Sequence, residues 1–138
     1  MNLYELTKNI QSLAYLDHVN FNEAGDVYEL NKRMDIKYPA FILSEDTHRY
    51  NYSEGVEYYN FNVFFVDRLT ENKANELNVK NWANRACVNL VKNITEKMPG
   101  AIISTETNIN TFTERFESLC AGAFANITLR VDEECVCK

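Results

Sequence analysis

Two thiols one residue apart, Cys135-Val136-Cys137, are the first groups in this 138-residue chain whose spacing is one that chemistry uses. A Cys-x-Cys pair offers two thiolates to a metal, but a closed zinc site takes four ligands. His18, His48, Cys87 and Cys120 stand at no spacing that completes the set. The pair therefore reads as free thiols in a flexible C-terminal tail, residues 132–138. His48 follows Glu45 and Asp46, residue types used in general acid–base work. In so polar a segment, a histidine beside two acids reads as a solvated surface group. The four glycines form no G-x-G or P-loop spacing. Ser44, Ser53, Ser104 and Ser118 lie in no nucleophile elbow. No catalytic, cofactor-binding or metal-ligating set emerges, and a non-enzymatic role is expected.

The charge balance narrows the partners. A formal net charge of −6, with Lys32-Arg33 the one adjacent basic pair, leaves no Lys/Arg surplus to neutralise phosphates. Specific nucleic-acid binding is not expected. No apolar run approaches the roughly 20 residues that span a bilayer. The opening Met1-Asn-Leu-Tyr-Glu5 resembles a helix start, not a secretory leader. The cysteines are accordingly expected as free thiols in a reducing compartment. The Asn-x-Ser/Thr sequons at Asn51, Asn93 and Asn126 carry little meaning without a leader.

The elements that must position any site follow from periodicity. Leu3, Leu6, Ile10, Leu13 and Ala14 make a stripe of period 3.6, predicting a helix over Asn2–Leu16 capped by Asn2. Val19 and Phe21 alternate with polar residues in a short strand that breaks at Glu23-Ala24-Gly25. Asp26–Lys37 mixes apolar and charged residues, fits a helix or an edge segment, and is taken as an exposed loop with some extended structure. Ala40–Leu43 reads as a central strand, and Glu45–Gly55 as a long hairpin loop with strand-like arms. Over Tyr58–Val66, Tyr59, Phe61, Val63 and Phe65 share one face; Tyr58, Asn60, Asn62 and Phe64 share the other. The second face has the mixture expected of a surface covered by a partner. A long amphipathic helix is predicted over about 73–97, stopped by Pro99-Gly100. Strands over Ala101–Phe112 and Ala121–Val131 complete the chain. Ala121-Gly122-Ala123 signals a bulge or another backbone close by. The order predicts one α+β domain over 1–138, a mostly antiparallel sheet packed by the long helix and the N-terminal helix.

With no chemistry to position, the aromatic residues become the candidates. Tyr50, Tyr52, Tyr58 and Tyr59 would stack sugars or bases, but beside a net negative charge they favour a protein interface, where Tyr and Arg are enriched. The expected contact residues are Arg49, Tyr50, Tyr52 and Tyr58, with Phe112, Arg115 and Phe116 in the last hairpin.

Three segments together resemble a known family. They are Tyr38-Pro-Ala-Phe-Ile-Leu43; Asn62-Val-Phe-Phe-Val-Asp67 with its polar linker and long helix; and the Phe-rich stretch from Asn108 through Ala121-Gly122 to Leu129. They resemble the small tail-terminator, tail-completion or neck proteins of tailed bacteriophages and prophages, in the form found in Bacteroidota. The resemblance spans about Asp26 to Cys135, and departs from the pattern at the Tyr-rich segment Glu45–Gly55 and the Cys-Val-Cys tail. It implies an α/β subunit that forms a ring, commonly a hexamer, at the tail end or head–tail junction. Such a ring stops tube polymerisation and meets tail-tube and connector proteins. It implies no catalytic residues, a place in the virion, and assembly in the bacterial host cytoplasm. Subunits of a closed ring meet head to tail through two different patches. The net −6 charge would then face the channel and let DNA slide past. Two other classes stand beside this one. The first is a monomeric or dimeric small-ligand module whose Tyr- and Phe-rich strand lines a pocket. The second is a regulator or chaperone encoded by a mobile element.

Overall fold

The computed structural model describes residues 2–25, 37–70, 72–115 and 119–132. They form an α+β fold in which two helices pack on one face of a mixed six-stranded sheet. The elements are α1 (Leu3–Ala14), β1 (Phe21–Ala24), β2 (Ala40–Asn51), β3 (Val56–Arg68), α2 (Glu76–Lys97), β4 (Ile102–Ile103), β5 (Ile109–Arg115) and β6 (Leu119–Asp132). The expected loop over residues 26–36 and the tail beyond Asp132 lie outside the described residues.

Each element has a local cause. The Asn2 side chain accepts the Glu5 N–H at 2.9 Å, satisfying one of the orphan donors at the start of α1. Leu6, Ile10 and Ala14 then turn one fully buried stripe to the sheet. A 3-10 turn over Tyr15–Asp17 ends this helix, with His18 left-handed at φ 61°. The long helix starts at Glu76, three residues later than periodicity suggests. Lys73 takes φ 57°, and the Asn75 side chain folds the loop back: it accepts the Thr70 N–H at 2.9 Å and donates to the Arg68 carbonyl at 3.2 Å. The rest of α2 follows the stripe, with Val79, Ala83, Ala86, Cys87, Leu90 and Ile94 buried.

The strand order is β1-β2-β3-β6, with β4 and β5 following one another along the far edge of β6. All pairs are antiparallel except β1–β2. Three sequence expectations are corrected. The hairpin expected over Glu45–Gly55 keeps its strand-like arm, Glu45–Asn51 continuing β2, but its loop is short, only residues 52–55. Cross-strand pairing explains this: His48 stacks on Tyr59 at 4.4 Å between ring centroids, and Arg49 lies 4.5 Å from the Tyr58 ring centroid on the other face. Ala101–Phe112 is two strands. Residues 104–108 lie opposite only Asn126–Thr128, so the surplus leaves the ladder and the edge bulges. Finally, β1 carries on through the expected break to Ala24, because pairing with Phe41–Leu43 overrides its polar composition.

The core lies between the helices and one sheet face. Tyr59, Phe61, Val63 and Phe65 meet Phe41 and Leu43 from β2, Leu6 and Ile10 from α1, and Leu90 and Ile94 from α2. Trp82 closes edge-on against Phe65, 5.9 Å between ring centroids. The small residues at the start of β6 mark a close approach. A Cβ on Gly122 would stand 2.0 Å from the Phe65 carbonyl oxygen.

Candidate assembly surfaces

The second face of the sheet carries three bands, set by the alternation of β3 and β6. At one end Phe64, Phe112 and Phe124 form a cluster with ring centroids 5.7–6.4 Å apart. The middle is a ladder of amides and hydroxyls. Asn126 donates to Asn62 at 3.0 Å and to Asp46 at 3.4 Å, while Asn60 donates to Thr47 and accepts from Thr128. At the far end Arg49 covers Tyr58, and Arg130 donates to Asp132 at 3.0 Å. These are groups that satisfy one another across strands. They hold the sheet rather than converge on a reacting atom.

The hairpin joining β2 and β3 is closed by Asn51. Its side-chain oxygen accepts from Ser53 Oγ at 2.9 Å and from the Glu54 N–H at 3.3 Å; Gly55, at φ 66°, donates its N–H to the Asn51 carbonyl. That turn leaves Tyr52 85% exposed and Tyr50 48% exposed. β1 covers the outer edge of β2 only from Ala40 to Leu43; from Ser44 to Asn51 that edge pairs with no strand among the described residues. The opposite sheet edge, the outer side of β5, is likewise unpaired among them.

Six of the seven expected contact residues are described, and they fall into two groups at opposite ends of the sheet. Arg49, Tyr50, Tyr52 and Tyr58 gather at the hairpin end, where Val56 pairs with Asp132. Phe112 and Arg115 sit on β5, opposite Gly122 and Leu119. Phe112 packs into the phenylalanine cluster, and Phe116 lies outside the described residues. His48 is not partnered by the acids beside it in sequence: its Nε2 lies 3.2 Å from a carboxylate oxygen of Glu57, across the hairpin. Sequence spacing misses Glu57 because the pairing depends on hairpin register. Cys87 is buried, and its desolvation, with the Asp17 charge nearby, pushes the thiol up to about 12. Cys120 is buried as well. Among the described residues no three His, Cys, Asp or Glu side chains gather to hold a metal.

Two further features escape sequence reasoning. A groove of about 850 Å³ runs between α1 and the point where β1 ends, lined by Leu3, Tyr4, Lys8, Glu23, Glu45 and Phe61 among others. Asp17, in the turn after α1, accepts from Asn89 of α2 at 3.2 Å, while its Oδ2 is buried without a hydrogen-bond partner among the described residues. Burial pushes this carboxyl above its ordinary range. The signal for both is tertiary, since each joins residues distant in the chain.

The chain matches no protein-family model, and no curated protein matches it. No helix among the described residues is long and apolar enough to cross a membrane.

Proposed function

We propose that the chain is a structural subunit of a tailed bacteriophage or prophage particle, assembling into a ring at the tail end or head–tail junction. In this role it ends the tail tube and joins it to the connector, working through contacts with itself, the tube and neck proteins, without catalysis. The carrying observation is the exposure of Tyr52 and Tyr50 at the hairpin end, in a sheet whose β5 edge pairs with no further strand among the described residues. Unpaired backbone on a sheet edge is ready material for a neighbouring chain. The order of elements also suits the reading. An apolar strand running to Asp67 is followed by a long helix and a Phe-bearing hairpin, as the sequence resemblance implies.

Light scattering behind size exclusion, over a wide concentration range and with negative-stain images, tests this reading. Rings with a central channel are expected. A chain that stays monomeric throughout, and also when mixed with tail-tube protein, overturns it.

The groove beside α1 favours a second reading, a small-ligand module. Its lining differs from the one sequence suggests, because the Tyr- and Phe-rich face of β3 packs largely against the helices. A small molecule that raises the melting temperature, with Lys8→Ala abolishing the effect, would favour that reading.

A further inference from the structure

We propose that β5 pairs antiparallel with β5 of a second copy, about a two-fold axis at Phe112, so that two sheets become one. This goes beyond the ring reading: the contact is isologous and joins two subunits, or two rings, through the same patch on each.

The outer edge of β5 is open to another chain. Among the described residues, Ile109–Thr113 pair with β6 alone. Asn110, Thr111 and Thr113 are exposed. The start of α2 stands one strand inside the edge, since Val79 packs with Ala121 and Leu119 of β6; from there Glu76 accepts a hydrogen bond from the Thr113 side chain. The segments outside the described residues are too short to cover this edge. Residues 26–36 must join Gly25 to Lys37 beside β1, which stands four strands from β5. A round trip to the outer side of β5 takes about 48 Å at the spacing of strands, against a reach of roughly 40 Å for a segment of that length. Residues 116–118 are needed to join Arg115 to its partner Leu119. Residues 133–138 start from Asp132, ten residues along β6 from Gly122, the partner of Phe112, and six extended residues cannot return that distance.

The strand fits a copy of itself. A two-fold axis at Phe112 sets Phe112 opposite Phe112, and Thr111 opposite Thr113 on either side. These are aromatic and threonine pairs of the kind that stabilise neighbouring strands. The axis is perpendicular to the sheet, so each face continues as itself. The half-buried rings of Phe64, Phe112 and Phe124 then meet the same three rings of the copy. Charge points the same way. Each chain carries −6, so contact between copies is favoured where the touching stretch carries no charge. Ile109–Thr113 has no charged residue, and no proline guards it. The exposed arm of β2, by contrast, carries Glu45, Asp46, His48 and Arg49.

Disulfide trapping tests the contact. In a Cys135→Ser, Cys137→Ser background, Thr111→Cys protein is mixed with Thr113→Cys protein and oxidised. Opposed residues on antiparallel strands have Cα atoms about 4.5–5.5 Å apart, within disulfide reach, whereas like positions in this register lie roughly 8 Å apart and outside it. Expected is a crosslinked dimer at least tenfold more abundant in the mixture than in either variant alone. Crosslinking as strong in one variant alone, or none in the mixture, overturns the pairing. A second variant, Thr111→Lys with Thr113→Lys, is expected to keep the wild-type melting temperature and to need at least tenfold more protein to associate in sedimentation equilibrium. Unchanged association overturns the pairing as well. The ring reading stands or falls separately: rings without the crosslink overturn this contact alone, and crosslinked pairs that never form rings overturn the ring reading alone.

Discussion

At the scale of single residues, the sharpest constraint is Gly122. Its neighbour across the sheet is backbone, not a side chain that can rotate away. Gly122→Ala must push β6 from β3, and a cost on the order of 2–3 kcal/mol is expected, read by urea unfolding. Asp17 makes the opposite case. Its folded pKa is raised by burial, so ionising it opposes folding, and the protein gains relative stability as pH falls through the raised value. Asp17→Asn is therefore expected to raise the melting temperature by about 1–3 °C at pH 7. At pH 3, where the native carboxyl is neutral in both states, that gain should vanish. A variant less stable at pH 7 than at pH 3, each relative to wild type, would show that the Asn89 hydrogen bond outweighs burial.

Between elements, α2 and β3 carry the fold, while on the proposed function β5 and the hairpin end of β2 are expected to carry the contacts. Leu90 is fully buried at the centre of α2. Leu90→Ala leaves a cavity against the sheet, with an expected loss of about 2–5 kcal/mol in the same unfolding measurement. Changes at the edges should behave differently. Arg115→Glu, on the edge strand β5, is expected to shift ring formation to at least tenfold higher concentration while the circular dichroism spectrum stays unchanged. Assembly unaltered by Arg115→Glu would remove that residue from the interface. The charged and bulged character of both edges fits this division. Glu45, His48 and Arg49 along β2, and the surplus residues 104–108 beside β6, discourage indiscriminate strand pairing.

For the whole molecule, the two sheet faces differ. The helices bury one; the other carries the phenylalanine cluster, the amide and hydroxyl ladder with Asp46, and the Arg49–Tyr58 end. On the proposed function, the face without helices is the one expected to line the channel. Class averages of rings should place the helical density on the outer circumference; helices lining the channel would reverse this assignment.

The sequence by itself determined the α+β class, the stripe of α2, the buried face of β3 and the alternation of β6. Each is a short-range pattern in which every second residue, or every third and fourth, meets the same apolar surface. It also signalled a bulge or a close backbone at Ala121-Gly122-Ala123, and the structure shows the close backbone, that of Phe65. Only the tertiary structure decided how far the strand-like arm of the hairpin runs: polar Glu45–Asn51 is strand throughout, because Tyr58 and Tyr59 across the hairpin supply the contacts its own composition lacks. Only tertiary pairing split Ala101–Phe112 in two, and ran β1 parallel to β2. The candidate surfaces were legible as residue types, Tyr and Arg among Phe, but not as places. Strand register alone separates Arg49 and Tyr52 from Phe112 and Arg115 by the length of the sheet, since pairing partners are chosen by the whole fold and not by neighbours in sequence.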